Sequence, residues 1–585
     1  MRWLLKLDRT TRLGVLSIVL GVVGALGAQV FLWMLHFAEQ VILTPITGYH
    51  DLTADEASHF AHIPHIPHFL WLVPVATTLG GLLSGVLVYT FAPEAEGHGT
   101  DAAVKAFHRT KGFIRTRILF VKSIASAITI GSGGSAGREG PAAQIAASIG
   151  SIIGGWLKLP ADERRYVVLV GMAAGLSAIF KSPLGTAIFA VEILYSTMAF
   201  EGQALIFTLI GAAVAYAITG LFDGWTPLFV LPANVGFTDA ENLVWYAVLA
   251  VLAGLLGAAL PTIFYGVRDA FKRIPVPDHI KPAIGGLAVG LVGIFAPPLL
   301  GGGYGYMQFA LQGGSGMVIW FMLLLSIGKI IALSLTVSSG GSGGVFAPSL
   351  YVGAMLGAAL AAALLDFGVP GVSATGMAVV GMAAVFAGAA RVPIASLVMV
   401  AEMTGGYGLI MPAMFAVAIS YLVQSQLTRN ARYPSLYEAQ VPAPQNSPVH
   451  YEMYYRAVAD LLRDRKVKLE KDIFLNQLKE ALTEGNAIPI STNGGDECLY
   501  TYELPQDSRI DGQQVRHLGL KDVLIVSIVR GKQEIIPIGS TVIRGGDKLV
   551  IAARPDAMEQ FQRQAAGTAA RDTGRTGSAS AASGG

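Results

Sequence analysis

Apolar stretches follow one another from residue 13 to about residue 424, for example 69–91, 166–180, 184–199, 203–221, 243–266, 316–337 and 394–424. Roughly 20 apolar residues cross the hydrocarbon of a bilayer, so the opening run 13–34 spans one, while several later runs are too short to cross alone. Gly or Pro interrupts many of them. Non-helical backbone at membrane depth is tolerated only where it is buried in protein or lines a cavity. Broken helices in matching places of two halves therefore point to a transport site. Composition agrees, since 14% of residues are charged against about 25% in soluble chains. The net charge of +2 is no footprint for nucleic acid, and a single cysteine, Cys498, excludes a disulfide within the chain.

The apolar region is duplicated. Lys122-Ser-Ile-Ala-Ser-Ala-Ile-Thr129 with the following Ser132-Gly-Gly-Ser135 reads against Lys329 to Thr336 with Ser339-Gly-Gly-Ser342, at an offset of 207, and Pro141 falls on Pro348. Val170-Gly-Met-Ala-Ala174 recurs as Val380-Gly-Met-Ala-Ala384 at an offset of 210, with Pro183 on Pro393 and Glu192 on Glu402. Phe91-Ala-Pro93 recurs as Phe295-Ala-Pro297 at 204, with Gly97 and Gly99 on Gly301 and Gly303. Lysine and glutamate are costly in a bilayer, so their recurrence is not a by-product of composition. The repeats cover about 70–240 and 280–440; identity alone leaves open whether they run parallel or inverted.

The expected organisation is a transmembrane domain over 1–440, a small cytosolic α+β domain over 441–565 and a disordered tail over 566–585. The basic flank of the first span, with Arg9 and Arg12, and Arg429 and Arg432 after the last, place both termini in the cytoplasm. No cleavable signal peptide is evident. Pro442, Pro444 and Pro448 mark a linker to a charged helical stretch near 452–482. Strand-like runs follow at Cys498–Leu504, Asp522–Val529, Glu534–Ile538 and Lys548–Ala552, with the turn Arg544-Gly-Gly-Asp547 before the last.

Gly137-Arg-Glu-Gly-Pro141 carries the most chemistry. It follows a glycine run and precedes an apolar helix beginning Ala142-Ala-Gln-Ile. A helix starting inside the membrane presents unpaired N–H groups and partial positive charge, an anion site without a full charge. Gly344-Val-Phe-Ala-Pro348 builds the same device from the other half, and Glu139 adds a carboxylate where an anion would sit.

Gly137-Arg-Glu-Gly-Pro141, Gly344-Val-Phe-Ala-Pro348 and Ser435-Leu-Tyr-Glu438 resemble, in order and approximate spacing, three signature elements of the CLC family of chloride channels and chloride/proton exchangers. The resemblance runs from about 70 to 440. It implies an all-α, inverted-repeat fold with broken helices, a homodimer in the inner or plasma membrane, and one anion pathway per subunit. By similarity, Glu139 is the gating glutamate that competes with the anion and takes a proton from outside. Backbone N–H groups of Arg138, Glu139 and Gly140 would form an outer anion site. Those of Val345 and Phe346 would form a central one with the Tyr437 hydroxyl, Tyr433 standing as the other tyrosine within reach. Gly137, Pro141, Gly344 and Pro348 support the two helix starts. No cofactor or resident metal is implied; chloride is the transported ion and protons a second partner. The segments Glu503-Leu-Pro, the strand ending at Arg530, Ile536-Pro and Gly546-Asp-Lys-Leu-Val resemble the regulatory TrkA-C module of potassium-uptake proteins, which implies a small ligand there.

Two departures bear on selectivity and coupling. Where the family has Gly-Ser-Gly-x-Pro, this chain has Gly97-His-Gly-Thr-Asp101. His98 stands at the selectivity-reading serine and Asp101 at the proline. Either His98 donates to the anion, or the loop is displaced and Thr100 or backbone serves instead. Exchangers of the family carry two adjacent acids about ten residues after the proline matching Pro183; here the pair is Glu192-Ile193, a pattern similar to the channel branch. The expectation leans to passive, pH-gated conduction through a Glu139 gate, with chloride/proton antiport the close alternative. A cation channel or permease governed by the C-terminal domain is a more distant one. Thr404-Gly-Gly-Tyr-Gly408 reads as a helix-ending turn and not a potassium filter, and the glycine run 131–137 lacks the context of a phosphate loop. His50, His59, His62, His65 and His68 crowd one outer loop. Pro64 and Pro67 interrupt any helix that could array them around a metal, so a polar, pH-responsive loop is expected. No His-Glu-x-x-His or Gly-x-Ser-x-Gly element points to an enzyme.

Overall fold

The computed structural model describes residues 6–60, 69–233, 235–237, 239–313, 316–448, 488–492, 495–519, 523–530, 533–535 and 537–566. It divides into two compact units, 1–442 and 443–585. The first unit is helical, in the order α1 (Arg9–Ala38), α2 (Thr44–Thr47), α3 (Ala54–Ser58), α4 (Val73–Phe91), α5 (Thr100–Arg109), α6 (Thr116–Gly131), α7 (Glu139–Trp156), α8 (Ala161–Phe180), α9 (Pro183–Glu192) and α10 (Gly202–Asp223). There follow α11 (Leu243–Arg273), α12 (Lys281–Phe295), α13 (Tyr304–Leu311), α14 (Ile319–Val337), α15 (Phe346–Asp366), α16 (Ala374–Ala390), α17 (Pro393–Thr404) and α18 (Ile410–Leu427). Among the described residues, seven helical stretches are long and apolar enough to cross a membrane, and Trp33, Trp71, Trp156 and Trp320 face outward.

The duplication is visible in the packing. α7 packs on α8 as α15 packs on α16, and α4 and α12, which are mates, pack on each other. α1 packs on α8 and α10 as α11 packs on α16 and α18, so each repeat gains a helix beyond the sequence match. Glycine lets these helices touch: a Cβ on Gly353 would stand 2.6 Å from the carbonyl carbon of Gly381. Close approach of this kind supplies the dispersion that drives helix association in lipid. Two runs that read as single stretches are broken. The run 184–199 stays helical only to Glu192, and 394–424 is split at Gly405, which closes α17 with φ of 68°. The Thr404–Gly408 segment is thus a helix-ending turn. α7 starts at Glu139, three residues before the expected Ala142, because Gly140 and Pro141 fit a first turn, where proline's missing N–H costs nothing.

Among the described residues, the second unit is an antiparallel sheet with one α-helix. β1 (Ile488–Thr492), β2 (Gly495–Glu503), β3 (Val523–Arg530), β4 (Gln533–Ile535) and β5 (Lys548–Ala553) lie in the order β1-β2-β5-β3-β4. α19 (Pro555–Ala565) packs Met558 and Phe561 into a core with Ile525, Ile528, Leu549 and Ile551. β1 and α19 were not foreseen, since β1 contains Pro489, which reads against a strand, and α19 has only a short apolar stripe. The expected helical stretch 452–482, the tail after Ala566, and His62, His65 and His68 lie outside the described residues. Among the described residues no group of three or more His, Cys, Asp or Glu side chains could hold a metal.

One ion pair holds the turn before β5. Asp547 is buried and accepts from Arg530 Nε and Nη2, both at 2.7 Å, and from the Arg544 N–H at 2.8 Å. These hydrogen bonds hold the Arg530 guanidinium above its usual range, so it stays charged at any working pH. Removing one partner of a buried pair strands the other; with Arg530 partly exposed, Asp547→Ala should cost about 2 kcal/mol. Hydrogen exchange on the full chain should show faster exchange across β3 and β5, with α7 and α15 unchanged.

Candidate functional site

The two halves of the helical unit meet at a short antiparallel bridge. The Gly137 N–H donates to the Gly344 carbonyl at 2.8 Å and the Gly344 N–H to that of Gly137 at 2.6 Å. These residues are repeat mates, so equivalent segments run in opposite directions there, as inverted repeats require. Gly344 admits no side chain, since a Cβ there would stand 2.8 Å from the Gly140 nitrogen, and a Cβ on Gly137 would run into the Glu139 carboxylate. Two residues beyond the bridge on each side, α7 begins at Glu139 and α15 at Phe346. Two helix N-termini therefore converge in the protein interior, each with unpaired N–H groups and positive dipole charge. Around them the Ser135 N–H donates to Thr336 Oγ1 at 3.0 Å, mirrored by the Ser342 N–H to Thr129 Oγ1 at 3.4 Å.

The recurring lysines shape the loops beside this junction. Lys122 Nζ donates to the carbonyls of Ala95 (3.0 Å) and Gly97 (2.6 Å). Lys329 Nζ donates to those of Leu299 (3.1 Å), Leu300 (3.3 Å) and Gly301 (2.8 Å). Both lysines are fully buried, which is tolerable only because carbonyl oxygens replace water around the charge. Their loops end in α5 and α13, which point at the same junction. Gly99 has φ of 82°, and a Cβ there would meet the Gly140 carbonyl oxygen at 2.5 Å, so only glycine brings this loop against α7.

Glu139 is buried, and its carboxylate folds back towards the bridge: a Cβ on Gly344 would lie 3.0 Å from Oε2. The Tyr304 hydroxyl donates to Oε1, whereas Oε2 has no hydrogen-bond partner. Arg138 does not face the carboxylate as an ion-pair partner; its guanidinium lies over the Tyr304 ring, 4.4 Å from the centroid. Sequence reading missed Tyr304. Its signal was available in the repeat, where offset 204 places Tyr304 on Thr100, next to the selectivity loop.

His98 meets Tyr437, and Phe189 links Tyr437 to Phe346. The His98 ring stands edge-on to Tyr437 at 5.3 Å and Phe264 at 6.1 Å, with Nδ1 buried and unpartnered. Phe346 packs between Phe180 (4.4 Å) and Phe386 (4.1 Å), and Phe189 touches both Phe346 and Tyr437. Tyr433 instead stacks on Tyr265 under Arg268, which favours Tyr437 of the two tyrosines. Asp101, at the family's proline position, accepts the Ala439 N–H at 2.7 Å and so anchors the Ser435–Glu438 segment.

Two cavities approach the junction. One of about 520 Å³ is lined by Glu39, Asp51, Arg138, Lys181 and Tyr304. Another of about 720 Å³ is lined by His98, Lys105, Arg115, Arg268 and Lys272. The start of α6 (Ile118) lines the second and its end (Ile130) the first, so they open towards opposite faces, with Glu139 between.

Glu192 is committed elsewhere. Its carboxylate accepts the N–H groups of Ile394 (3.1 Å) and Ala395 (2.7 Å) at the start of α17. Its mate Glu402 accepts those of Leu184 (3.2 Å) and Gly185 (2.8 Å) at the start of α9, with the Ser182 hydroxyl at 2.6 Å. Each half thus caps a helix of the other. Ile193 is fully buried. Loss of a cap costs about 1–2 kcal/mol, so Glu192→Ala should lower the melting temperature of the detergent-solubilised protein by a few degrees. Glu192→Gln should recover part of the loss, because the amide oxygen still accepts.

Residues 80–425 match the family described as voltage gated chloride channel, and 499–566 match the TrkA-C domain. A ClcB-like protein of Ralstonia nicotianae is 30% identical over 361 residues, 60% of this chain and 82% of the relative. The H(+)/Cl(-) exchange transporter ClcA of Salmonella agona is 33% identical over 357 residues, 59% of this chain and 73% of the relative. Two solved structures share the fold. A slow cyanobacterial Cl-/H+ antiporter aligns with TM-score 0.63 and 24% identity, over 74% of this chain and 96% of that one. A CLC-type fluoride/proton antiporter aligns with TM-score 0.61 and 23% identity, over 74% and 98%.

Proposed function

The chain belongs to the voltage gated chloride channel family, and from that premise we propose that it carries chloride or a similar small anion across a membrane, with Glu139 as the gate. The observation that carries this reading is the carboxylate held beside two converging helix N-termini. A negative group lying at an anion site is a plug, and protonation or displacement removes it. The N–H groups of Arg138, Glu139 and Gly140 form the outer anion site. Those of Val345 and Phe346, with the Tyr437 hydroxyl and His98, form the central one. Basic side chains gather on the face of the larger cavity, where Arg268 pairs with Glu438 (2.7 Å) and Arg432 with Asp269 (3.3 Å), and the start of α1 pairs with that of α8 through Arg12 and Glu163 (2.5 Å). The positive-inside rule then puts this face and both termini in the cytoplasm. The protein works as a homodimer, and the TrkA-C domain takes a small regulatory ligand.

Coupled exchange is the second reading, favoured by relatives whose names state H(+)/Cl(-) exchange. Ile193 carries no proton and Glu192 is spent as a cap, so an internal proton must reach Glu139 through water from the larger cavity. In liposomes with a proton gradient and equal chloride on both sides, uphill chloride movement abolished by Glu139→Ala establishes exchange; chloride that only follows its own gradient establishes conduction. In either mode Glu139→Gln should flatten the pH dependence of anion flux. Unchanged flux and pH response in both variants would remove Glu139 from the gate.

His98, buried beside Tyr437 with its Nδ1 unpartnered, carries a selectivity prediction. Serine in place of His98 should shift permeability ratios among chloride, nitrate and fluoride towards chloride, since it withdraws a wide aromatic donor from the central site. Reversal potentials in mixed-anion gradients measure this directly.

A further inference from the structure

Tyr304 is not assigned by any motif, yet it is the group that touches the Glu139 carboxylate. We propose that Tyr304 is a latch that holds the Glu139 carboxylate in its blocking position and so sets how readily the pathway opens; this rests on Glu139 being the gate. The hydroxyl sits on a built support. Tyr304 is the first residue of α13, and the loop before it is fixed by Lys329 on three carbonyls. The Gly302 N–H donates to Asp51 Oδ2 at 2.9 Å, and the Gly305 N–H to the Leu52 carbonyl at 2.9 Å. Asp51 is in turn held by its own N–H on Glu39 Oε1 at 2.6 Å. The ring stacks on Phe229 at 6.1 Å with planes 20° apart, and Arg138 covers its other neighbourhood at 4.4 Å.

With Oε2 unpartnered, this hydroxyl is the carboxylate's one side-chain hydrogen-bond donor among the described residues. A hydrogen bond to a charged acceptor is worth enough to shift an equilibrium by about tenfold or more. Donation favours the seated, charged carboxylate over the protonated, released one. The charged and titratable groups around it are Arg138 at the N-cap of its own helix, Tyr304 from α13, Lys329 from α14, Asp51 beyond Gly302, and Tyr437. Of these, Tyr304 alone bonds it directly. The repeat underlines the asymmetry: the mate of Tyr304 is Thr100 and the mate of Glu139 is Phe346, so the other half carries neither the phenol nor the acid.

The test is anion flux into liposomes against external pH for the full chain carrying Tyr304→Phe, alone and with Glu139→Ala. Phenylalanine keeps the Phe229 stack and the Arg138 contact and removes only the hydroxyl. Flux near neutral pH should rise about tenfold and the pH of half-maximal flux should move upward by about one unit; in the Glu139→Ala background the same change should alter nothing beyond about twofold. Phe229→Leu, which loosens the ring but keeps the hydroxyl, should give a smaller shift in the same direction. Wild-type flux and pH profile in Tyr304→Phe overturn the latch, as does an equal effect in the Glu139→Ala background. If Glu139→Ala itself behaves as wild type, the gate reading fails first, and the latch has nothing to hold.

Discussion

Everything in the helical unit follows from stopping helices inside a membrane. A helix start there leaves N–H groups that water cannot reach, and each unsatisfied group costs several kcal/mol in hydrocarbon. Two such starts, α7 and α15, are brought together by the Gly137–Gly344 bridge. The bridge is possible only because glycine leaves the space between the halves empty. Once made, it concentrates positive dipole charge from both helices at one spot. An anion is one way to satisfy that spot, and the Glu139 carboxylate lies beside it.

Duplication then supplies the supports in pairs. Lys122 and Lys329 each fold a loop around a buried ammonium. Thr129 and Thr336 each accept from a serine N–H of the opposite half. Glu192 and Glu402 each cap a helix across the interface. Paired devices are structural, because the fold needs both. Where the mates differ, chemistry enters: Glu139 against Phe346, His98 against Gly302, and Tyr304 against Thr100. Glu139, His98 and Tyr304, the first named of each pair, stand at the junction of the two halves.

Much of this was legible in the residues. The offsets 204, 207 and 210 gave the repeat, and glycine runs ending in Gly-x-x-Gly-Pro or Gly-x-x-Ala-Pro gave the two helix starts. Identity between halves could not give their relative direction, which the antiparallel bridge at Gly137 and Gly344 reveals. The capping role of Glu192 was hidden because the N–H groups that donate to it lie 202 and 203 residues away. Tyr304 was missed for the opposite reason: a single aromatic residue in an apolar chain carries no local signal, and only its mate beside the selectivity loop could have drawn notice. In the C-terminal unit β1 was hidden by Pro489, whereas the apolar, β-branched runs of β3 and β5 were plain.

The central claim is that the two converging N-termini bind anions. Anomalous diffraction from crystals of the full chain grown in bromide tests it most directly. The account predicts bromide at the N–H groups of Val345 and Phe346 beside Tyr437, and, in crystals of Glu139→Gln, a second bromide at the start of α7. Crystals showing no anomalous density at either helix start, in both proteins, would contradict it.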